Sequence, residues 1–188
     1  MIKIIDKEKE CLRCYSEAII DESFWHLRWN ENKLRELFNS RRKSKRLLFE
    51  TKITEKYLSK NARILEGGCE MAMLTYELHL RGFDAYGLDY DEKIVDVIKE
   101  VQPQLNIIKG DVNSLDFEDN FFDGFWSPGV IEHDVNGYEK MAMEINRVLK
   151  PNGYLFLSHP QMNPYRRFRM KLNSYSKKDV SALHFYQY

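Results

Sequence analysis

Length, composition and charge limit this chain to a small set of protein classes. Its 188 residues suit one domain, and 43% hydrophobic with 31% charged side chains is typical of a soluble globular protein. Because 29 basic side chains balance 29 acidic ones, no net charge draws the chain toward nucleic acid. No apolar run approaches the ~20 residues of a membrane span, and residues 1–8 lack the core of a signal peptide. Three cysteines, an odd number, give no disulfide framework, so we expect a cytoplasmic protein. From the balanced charge, we expect no nucleic-acid partner.

Residues 1–60 predict an N-terminal helical segment of the same domain, which forms a cap or lid. Apolar side chains recur there at the spacing of amphipathic helices, at Leu34, Leu37, Phe38, Leu47, Leu48, Tyr57 and Leu58. Phe24, Trp25 and Trp29 form an aromatic cluster, which is either a helix packed on the core or a lid over a ligand. The basic run at 41–46 is short and flanked by acids, so we expect a solvated helix face.

Cys11 and Cys14 form a lone CxxC motif within this segment. Zinc would need two further ligands at a suitable spacing, and redox chemistry would need a thioredoxin-like context. His26 and Cys69 do not stand at such a spacing. We therefore predict ordinary reduced thiols and no metal site.

Residues 61–160 change to an alternation of strands and helices. Apolar runs closed by Gly or Pro predict strands at 62–66, 84–89, 106–110, 121–126 and 154–158, with helices at 71–81, 92–101 and 138–149. This alternation predicts an α/β fold, a Rossmann-like, doubly wound, mostly parallel sheet with helices on both faces. The basic, aromatic tail at 161–188 shows no further strand pair. The sheet edge would then be uncovered, which suits a homodimer or a partner chain.

Three acidic residues follow three successive predicted strands: Glu66, Asp89 and Asp111. The carboxyl ends of neighbouring parallel strands converge on one crevice, so these carboxylates are expected to share a site. Asp89 lies about 20 residues beyond the Gly67-Gly68 turn, the distance at which an acid can bind a ribose diol. Alternatively, Asp89 and Asp111 only cap the turns or helices that follow. Three acids in register with a glycine turn favour the ligand site.

These stretches, read in order, resemble the motifs of class I S-adenosylmethionine-dependent methyltransferases. The motifs read ILEGGCEMA at 64–72, YGLD at 86–89, KGDV at 109–112, FDGFWS at 122–127 and GVIEH at 129–133. EINRVLKPNGY at 144–154 is similar to the helix–turn–strand that follows in these enzymes. The resemblance covers residues 61–160 and implies S-adenosyl-L-methionine as cofactor and a small-molecule methyl acceptor.

The resemblance also implies residue roles at the two ends of the cofactor. Glu66, Gly67 and Gly68 would line its methionine and ribose part, and Ser127 would lie near the methionine moiety. At the adenosine end, four residues would act, namely Asp89 on the ribose hydroxyls, Tyr90 beside the adenine, Asp111 on the adenine amino group and Val112 flanking the ring.

Two departures from the family pattern bear on function. Glu70 and Ala72 stand where glycines usually occur, and the chain ends soon after the fifth strand. Glu70 would place a charged side chain where backbone approaches the ligand, so we expect weakened cofactor affinity. The alternative function is a non-catalytic or truncated module that serves partner binding or regulation. A nicotinamide-dependent oxidoreductase is disfavoured because its G-x-G-x-x-G fingerprint is absent.

His133 is the candidate catalytic residue. Its imidazole could remove a proton from an acceptor near neutral pH, from a position just past the fourth strand. Alternatively, His133 packs or caps at a loop–helix junction. Because many methyl transfers depend mainly on alignment of the reactants, a general base is not required by the chemistry. The sequence does not indicate which atom of the acceptor receives the methyl group.

Overall fold

The computed structural model describes residues 2–6, 11–15, 31–134, 137–159, 163–165, 168, 172 and 183–187. Its strands are β1 (Ile2–Asp6), β2 (Cys11–Tyr15), β3 (Arg63–Gly67), β4 (Asp84–Asp89), β5 (Asn106–Lys109), β6 (Phe122–Pro128), β7 (Leu149–Ser158) and β8 (Leu183–Gln187). Its α-helices are α1 (Glu31–Lys43), α2 (Phe49–Tyr57), α3 (Met73–Leu80), α4 (Glu92–Val101) and α5 (Glu139–Val148), with a 3-10 helix at Ile131–His133.

Five of these strands form a parallel sheet in the order β5-β4-β3-β6-β7. The chain builds outward from β3 to β5, then returns to the other side of β3 with β6. The strand order therefore reverses between β3 and β6, where α/β proteins bind ligands at the carboxyl ends of their strands. This confirms the predicted doubly wound fold.

Alternating side chains of the sheet pack against helices on both faces. In β3, Ile64 packs with Trp126 and Phe156 on the face that α2 and α3 cover. The next residue, Leu65, packs with residues of α5 on the opposite face. Each strand thus contributes to two apolar layers, because successive side chains point to opposite sides of a sheet.

The helices before the sheet are anchored to its core by buried polar contacts. Leu34 and Phe38 of α1 are fully buried. Arg41 Nε lies 2.7 Å from the buried Glu77 carboxylate of α3. Trp126 Nε1 in β6 donates to Thr54 Oγ1 of α2 at 2.8 Å. These contacts fix α1 and α2 against the sheet. Residues 42–46 of the basic run are exposed, as predicted, and Arg41 is the exception.

The two ends of the chain correct the sequence prediction. The prediction of a helical segment over residues 1–60 is wrong at β1 and β2, and the prediction of a tail without further strands is wrong at β8. β2 lies between β1 and β8 in a separate antiparallel sheet, with Ile2 opposite Tyr15 and Leu12 opposite Gln187. The partner strands come from opposite ends of the chain, so local periodicity could not reveal the pairing.

The end of α5 and the start of β7 also differ from the prediction. The helix ends at Val148, and β7 begins at Leu149, ahead of the predicted turn. Leu149 pairs with Phe122 and Tyr154 pairs with Gly124, so residues 150–153 form an irregularity inside the strand. Among the described strands, none pairs with the outer edge of β7. The aromatic cluster of Phe24, Trp25 and Trp29 lies outside the described residues.

None of the helices that the structure describes is long and apolar enough to cross a membrane.

Candidate functional site

A cleft of about 270 Å³ opens at the carboxyl ends of β3 and β6, where the strand order reverses. The described residues that line it are Leu48, Glu50, Glu66, Gly68, Cys69, Glu70, Met71, Met73, Leu74 and Pro128. Two of the residues predicted from sequence, Glu66 and Gly68, are in this lining. Three acidic side chains and two thioethers give the cleft a negative and polarisable wall.

Glu66, in β3, is buried at the base of the cleft. Its Oε2 accepts hydrogen bonds from Thr75 N at 2.9 Å and from Thr75 Oγ1 at 2.5 Å, in the first turn of α3. Burial raises the pKa of Glu66 to about 7, and the nearby Glu50 and Asp89 charges add to the increase. Glu66 therefore exchanges a proton near neutral pH. Sequence reasoning identified Glu66 but not Thr75, which holds it.

The Gly67-Gly68 turn is required by close packing. A Cβ on Gly68 would lie 2.6 Å from Val130 Cγ2, and its φ of +67° is one that side chains disfavour. A Cβ on Gly67 would lie 2.9 Å from the Phe125 ring and 3.0 Å from Val112 Cγ1. Predicted residues Gly67 and Val112 are thus neighbours. The glycines let the loop pass close to β6 and to the segment after β5.

Glu70 and Ala72 have left-handed backbone, with φ of 46° and 53°. Glycine adopts this conformation without strain, whereas residues with a Cβ are destabilised in it. The loop thus keeps a glycine-type path with non-glycine residues. The departure at these positions therefore strains the backbone, in addition to placing the Glu70 side chain in the cleft.

Asp89 ties this loop to the end of β4. Its Oδ2 accepts from Glu70 N at 2.8 Å, and its Oδ1 accepts from Asp91 N at 3.1 Å. Burial raises the pKa of Asp89, while these backbone donors lower it. The helix cap that follows is provided by Asp91, whose Oδ1 accepts from Lys93 N at 3.0 Å. Asp89 therefore has a role other than capping α4.

Two further residues that the resemblance predicts at the adenosine end, Tyr90 and Asp111, lie just after β4 and β5. Tyr90 directly follows β4 and is exposed. Asp111 follows β5 and is also exposed, and its Oδ1 accepts from Asn113 N at 2.8 Å. For Asp111, the turn interaction that the sequence left as an alternative is present. None of these residues is in the lining of the cleft that the structure describes.

Ser127, Glu132 and His133 lie at or just beyond the carboxyl end of β6. Ser127 is 1% exposed and Glu132 is 3% exposed. Ser127 Oγ and Glu132 Oε2 have no hydrogen-bond partner among the described residues. Burial raises the pKa of Glu132, and the charges of His133 and His159 lower it. His133 itself is exposed. Sequence reasoning identified His133 and missed Glu132, because no sequence pattern predicts that an acid in a short 3-10 helix is buried.

The three cysteines lie at two separate places in the chain. Cys11 and Cys14 are both part of β2. The described residues contain no group of three or more His, Cys, Asp or Glu side chains placed to hold a metal ion. Cys69 is a free, buried thiol beside the cleft. Burial raises the pKa of the Cys69 thiol, with the Glu66 and Asp89 charges adding to the effect, so it resists forming a thiolate.

The fold and the cleft define an α/β protein of the class that binds nucleotide-like ligands at a topological switch point. Residues 65–157 match the family model described as "Methyltransferase domain". Residues 65–157 therefore form a methyltransferase domain, and the fold is shared with solved structures of S-adenosylmethionine-dependent methyltransferases.

Relatives and solved structures agree with this assignment. The chain is 37% identical over 89 residues to demethylmenaquinone methyltransferase of Renibacterium salmoninarum, covering 45% of this chain and 37% of that protein. It is 28% identical over 150 residues to EEF1A lysine methyltransferase 4 of Mus musculus, covering 70% of this chain and 58% of that one. The chain therefore spans less than two thirds of either relative.

Two solved structures show the same fold over most of the chain. The first, described as "a putative s-adenosyl-l-methionine-dependent methyltransferase" from Methanococcus maripaludis, has a TM-score of 0.57 and 18% identity, over 85% of this chain and 73% of that one. A methyltransferase from Methanosarcina mazei has a TM-score of 0.56 and 21% identity, over 72% of this chain and 76% of that one.

Proposed function

We propose that this chain transfers the methyl group of S-adenosylmethionine to a small-molecule acceptor. The observation that carries the proposal is the cleft at the β3–β6 switch point, lined by Glu66 and Gly68 within the segment that matches the methyltransferase family. The cofactor supplies an electrophilic methyl group on a positively charged sulfur. The protein then has to bind the two reactants, align them and exclude water.

The residues present fit this cofactor on structural grounds. The Glu66 carboxylate at the base of the cleft suits a ligand that carries ammonium and sulfonium charges. Ser127 Oγ is buried without a partner among the described residues, next to the cleft-lining Pro128, so it can accept or donate a hydrogen bond to a ligand. We assign Glu66, Gly67, Gly68 and Ser127 to the methionine end of the cofactor.

We assign Asp89, Tyr90, Asp111 and Val112 to the adenosine end. Asp89 accepts backbone hydrogen bonds from Asp91, Glu70 and Tyr90, and a carboxylate has about four lone pairs, so one lone pair remains for a ribose hydroxyl. Because the same carboxylate holds Glu70 N, cofactor binding and loop conformation are linked at this residue. Val112 lies against the Gly67 turn, which supports a role for it between the two ends of the cofactor.

Binding of S-adenosylhomocysteine, the demethylated cofactor, tests this function. We expect calorimetric titration to show micromolar binding to the wild type and loss of binding for Asp89→Ala. Asp96→Ala, which removes an exposed carboxylate of α4, is the matched control and should bind like the wild type. Circular dichroism would establish that each variant is folded. A folded wild type that fails to bind S-adenosylmethionine and its product at millimolar concentration would contradict the proposal and favour the non-catalytic module.

The small-molecule acceptor is supported by the similarity to demethylmenaquinone methyltransferase, whereas EEF1A lysine methyltransferase 4 represents protein acceptors. Radiolabelled methyl transfer can be compared on a quinol, a small amine and a lysine-containing peptide. We expect label in a small molecule. Label in the peptide alone would contradict this choice. Once an acceptor is identified, His133→Asn tests His133 as the base, because a base role predicts a large loss of kcat with little change in cofactor affinity.

A further inference from the structure

The described lining of the cleft is rich in carboxylates, which bears on which ligands it prefers. Glu50, Glu66 and Glu70 all line the cleft, and none of its described lining residues is Lys or Arg. Glu66 comes from the sheet, Glu70 from the loop after it, and Glu50 from the first turn of α2. Three separate elements thus bring carboxylates to one small cavity. Nothing in the described lining neutralises them.

We infer that this cleft selects its ligands by positive charge, with Glu70 and Glu50 as specificity-determining residues that favour S-adenosylmethionine over its demethylated product. The inference rests on the proposed function, because it takes the cleft as the cofactor site. S-adenosylmethionine has a net charge of +1, from a sulfonium, an ammonium and a carboxylate. S-adenosylhomocysteine has lost the sulfonium charge and is neutral overall. The two ligands therefore differ by one positive charge inside an acidic cleft.

The size of the preference follows from Coulomb's law. At about 8 Å and an effective dielectric constant of about 20 to 40, a carboxylate favours one added positive charge by about tenfold in affinity. Glu70 is well placed to act, because its left-handed backbone is held by the bond from its N–H to Asp89 Oδ2. The loop therefore keeps this acidic residue at the cleft. A glycine there would leave the same loop path without the charge.

The preference has a consequence for turnover. Once the methyl group has left, the ligand loses the charge that the cleft favours, so product release is assisted by the same carboxylates. Glu50 and Glu70 need not contact the reacting methyl group or the acceptor to have this effect. They act on the relative affinity of the two cofactor forms.

Calorimetric titration with three ligands tests the inference. They are S-adenosylmethionine, S-adenosylhomocysteine, and sinefungin, in which a carbon that carries an ammonium group replaces the methylated sulfur. Sinefungin has the charge without the transferable methyl. We expect the two charged ligands to bind about tenfold more tightly than S-adenosylhomocysteine at low salt, and this ratio to fall in 0.5 M salt, where screening is strong.

Two isosteric variants separate local charge from net charge. Glu70→Gln is expected to lower the ratio of affinities at least about threefold. Glu100→Gln makes the same change in net charge at an exposed residue in the last turn of α4, outside the lining of the cleft, and should leave the ratio unchanged. Equal or tighter binding of S-adenosylhomocysteine, or a ratio that Glu70→Gln and salt do not alter, would overturn the inference. Absence of binding by all three ligands would instead refute the cofactor site itself.

Discussion

Replacing Glu66 with Gln should make the ligand-free protein more stable, in a way that depends on pH. Burial raises the pKa of Glu66 from 4.5 to about 7. A buried acid with a raised pKa favours the folded state fully below pH 4.5, and this contribution is lost as pH rises toward 7. Above pH 7 the folded protein holds a buried carboxylate that the unfolded chain would leave in water. The Gln side chain avoids that cost and can still accept both Thr75 hydrogen bonds through its amide oxygen.

The magnitude follows from the size of the pKa change. A rise from 4.5 to about 7 corresponds to about 3 kcal/mol at pH 8, and to less than about 1 kcal/mol at pH 5. Glu66→Gln is therefore expected to gain about 2.5 kcal/mol more in free energy of unfolding at pH 8 than at pH 5. Urea denaturation at both pH values, followed by far-ultraviolet circular dichroism, measures this difference.

Glu92 provides a control, because its pKa is shifted in the opposite direction from that of Glu66. The hydrogen bond and charge of Lys109 lower the pKa of Glu92, an exposed acid at the start of α4. A lowered pKa gives stability that is present above the unfolded pKa and lost as pH falls, so Glu92→Gln should not gain stability at pH 8. If Glu66→Gln does not raise the free energy of unfolding, or raises it equally at pH 5 and pH 8, burial does not raise the pKa of Glu66 as described.

Three further tests measure how substitutions change the free energy of unfolding. Glu70→Gly should gain up to about 1 kcal/mol by relieving left-handed backbone, whereas Asn120→Gly, at φ 57°, should gain less because Asn tolerates that conformation. Arg41→Met should lose about 3 kcal/mol by leaving buried Glu77 unpaired, and adding Glu77→Gln should restore part of the loss; additive effects would contradict this coupling. Arg147→Lys should lose about 2 kcal/mol, since Lys cannot replace the guanidinium bonds to the Leu115 and Phe117 carbonyls; an unchanged stability would contradict that role.

The sheet could be predicted because its signals are local. Each parallel strand is a short apolar run closed by Gly, Pro or an acid, and α4 was predicted with its observed bounds between Asp91 and Pro103. The pairing of β2 with β8 was missed because the partners lie at opposite ends of the chain. Strand pairs of that kind depend on contacts that no window of neighbouring residues contains.

The candidate site was predictable in position but not in electrostatic detail. Glycine and acid spacing placed Glu66 and Asp89 at neighbouring strand ends. The pKa of Glu66 depends on how deeply its carboxylate is buried, which spacing does not encode. Likewise, the sequence shows that Glu70 departs from glycine, whereas the positive φ that makes the departure costly is a property of the folded loop. Glu132 is identified as a candidate site residue only by its burial in the folded protein.

The hydrogen bond from Trp126 to Thr54 gives the protein an internal optical reporter. Trp126 is buried, stacks on Phe156 with ring centroids 4.6 Å apart, and stands two residues before Pro128 of the cleft wall. An indole held this rigidly changes its emission when its surroundings shift by small amounts. Because the other tryptophans of the chain are Trp25 and Trp29, a Trp25→Phe/Trp29→Phe variant would have Trp126 as its single tryptophan, which excitation at 295 nm or above addresses without the tyrosines. Ligand binding could then be followed in real time without a label.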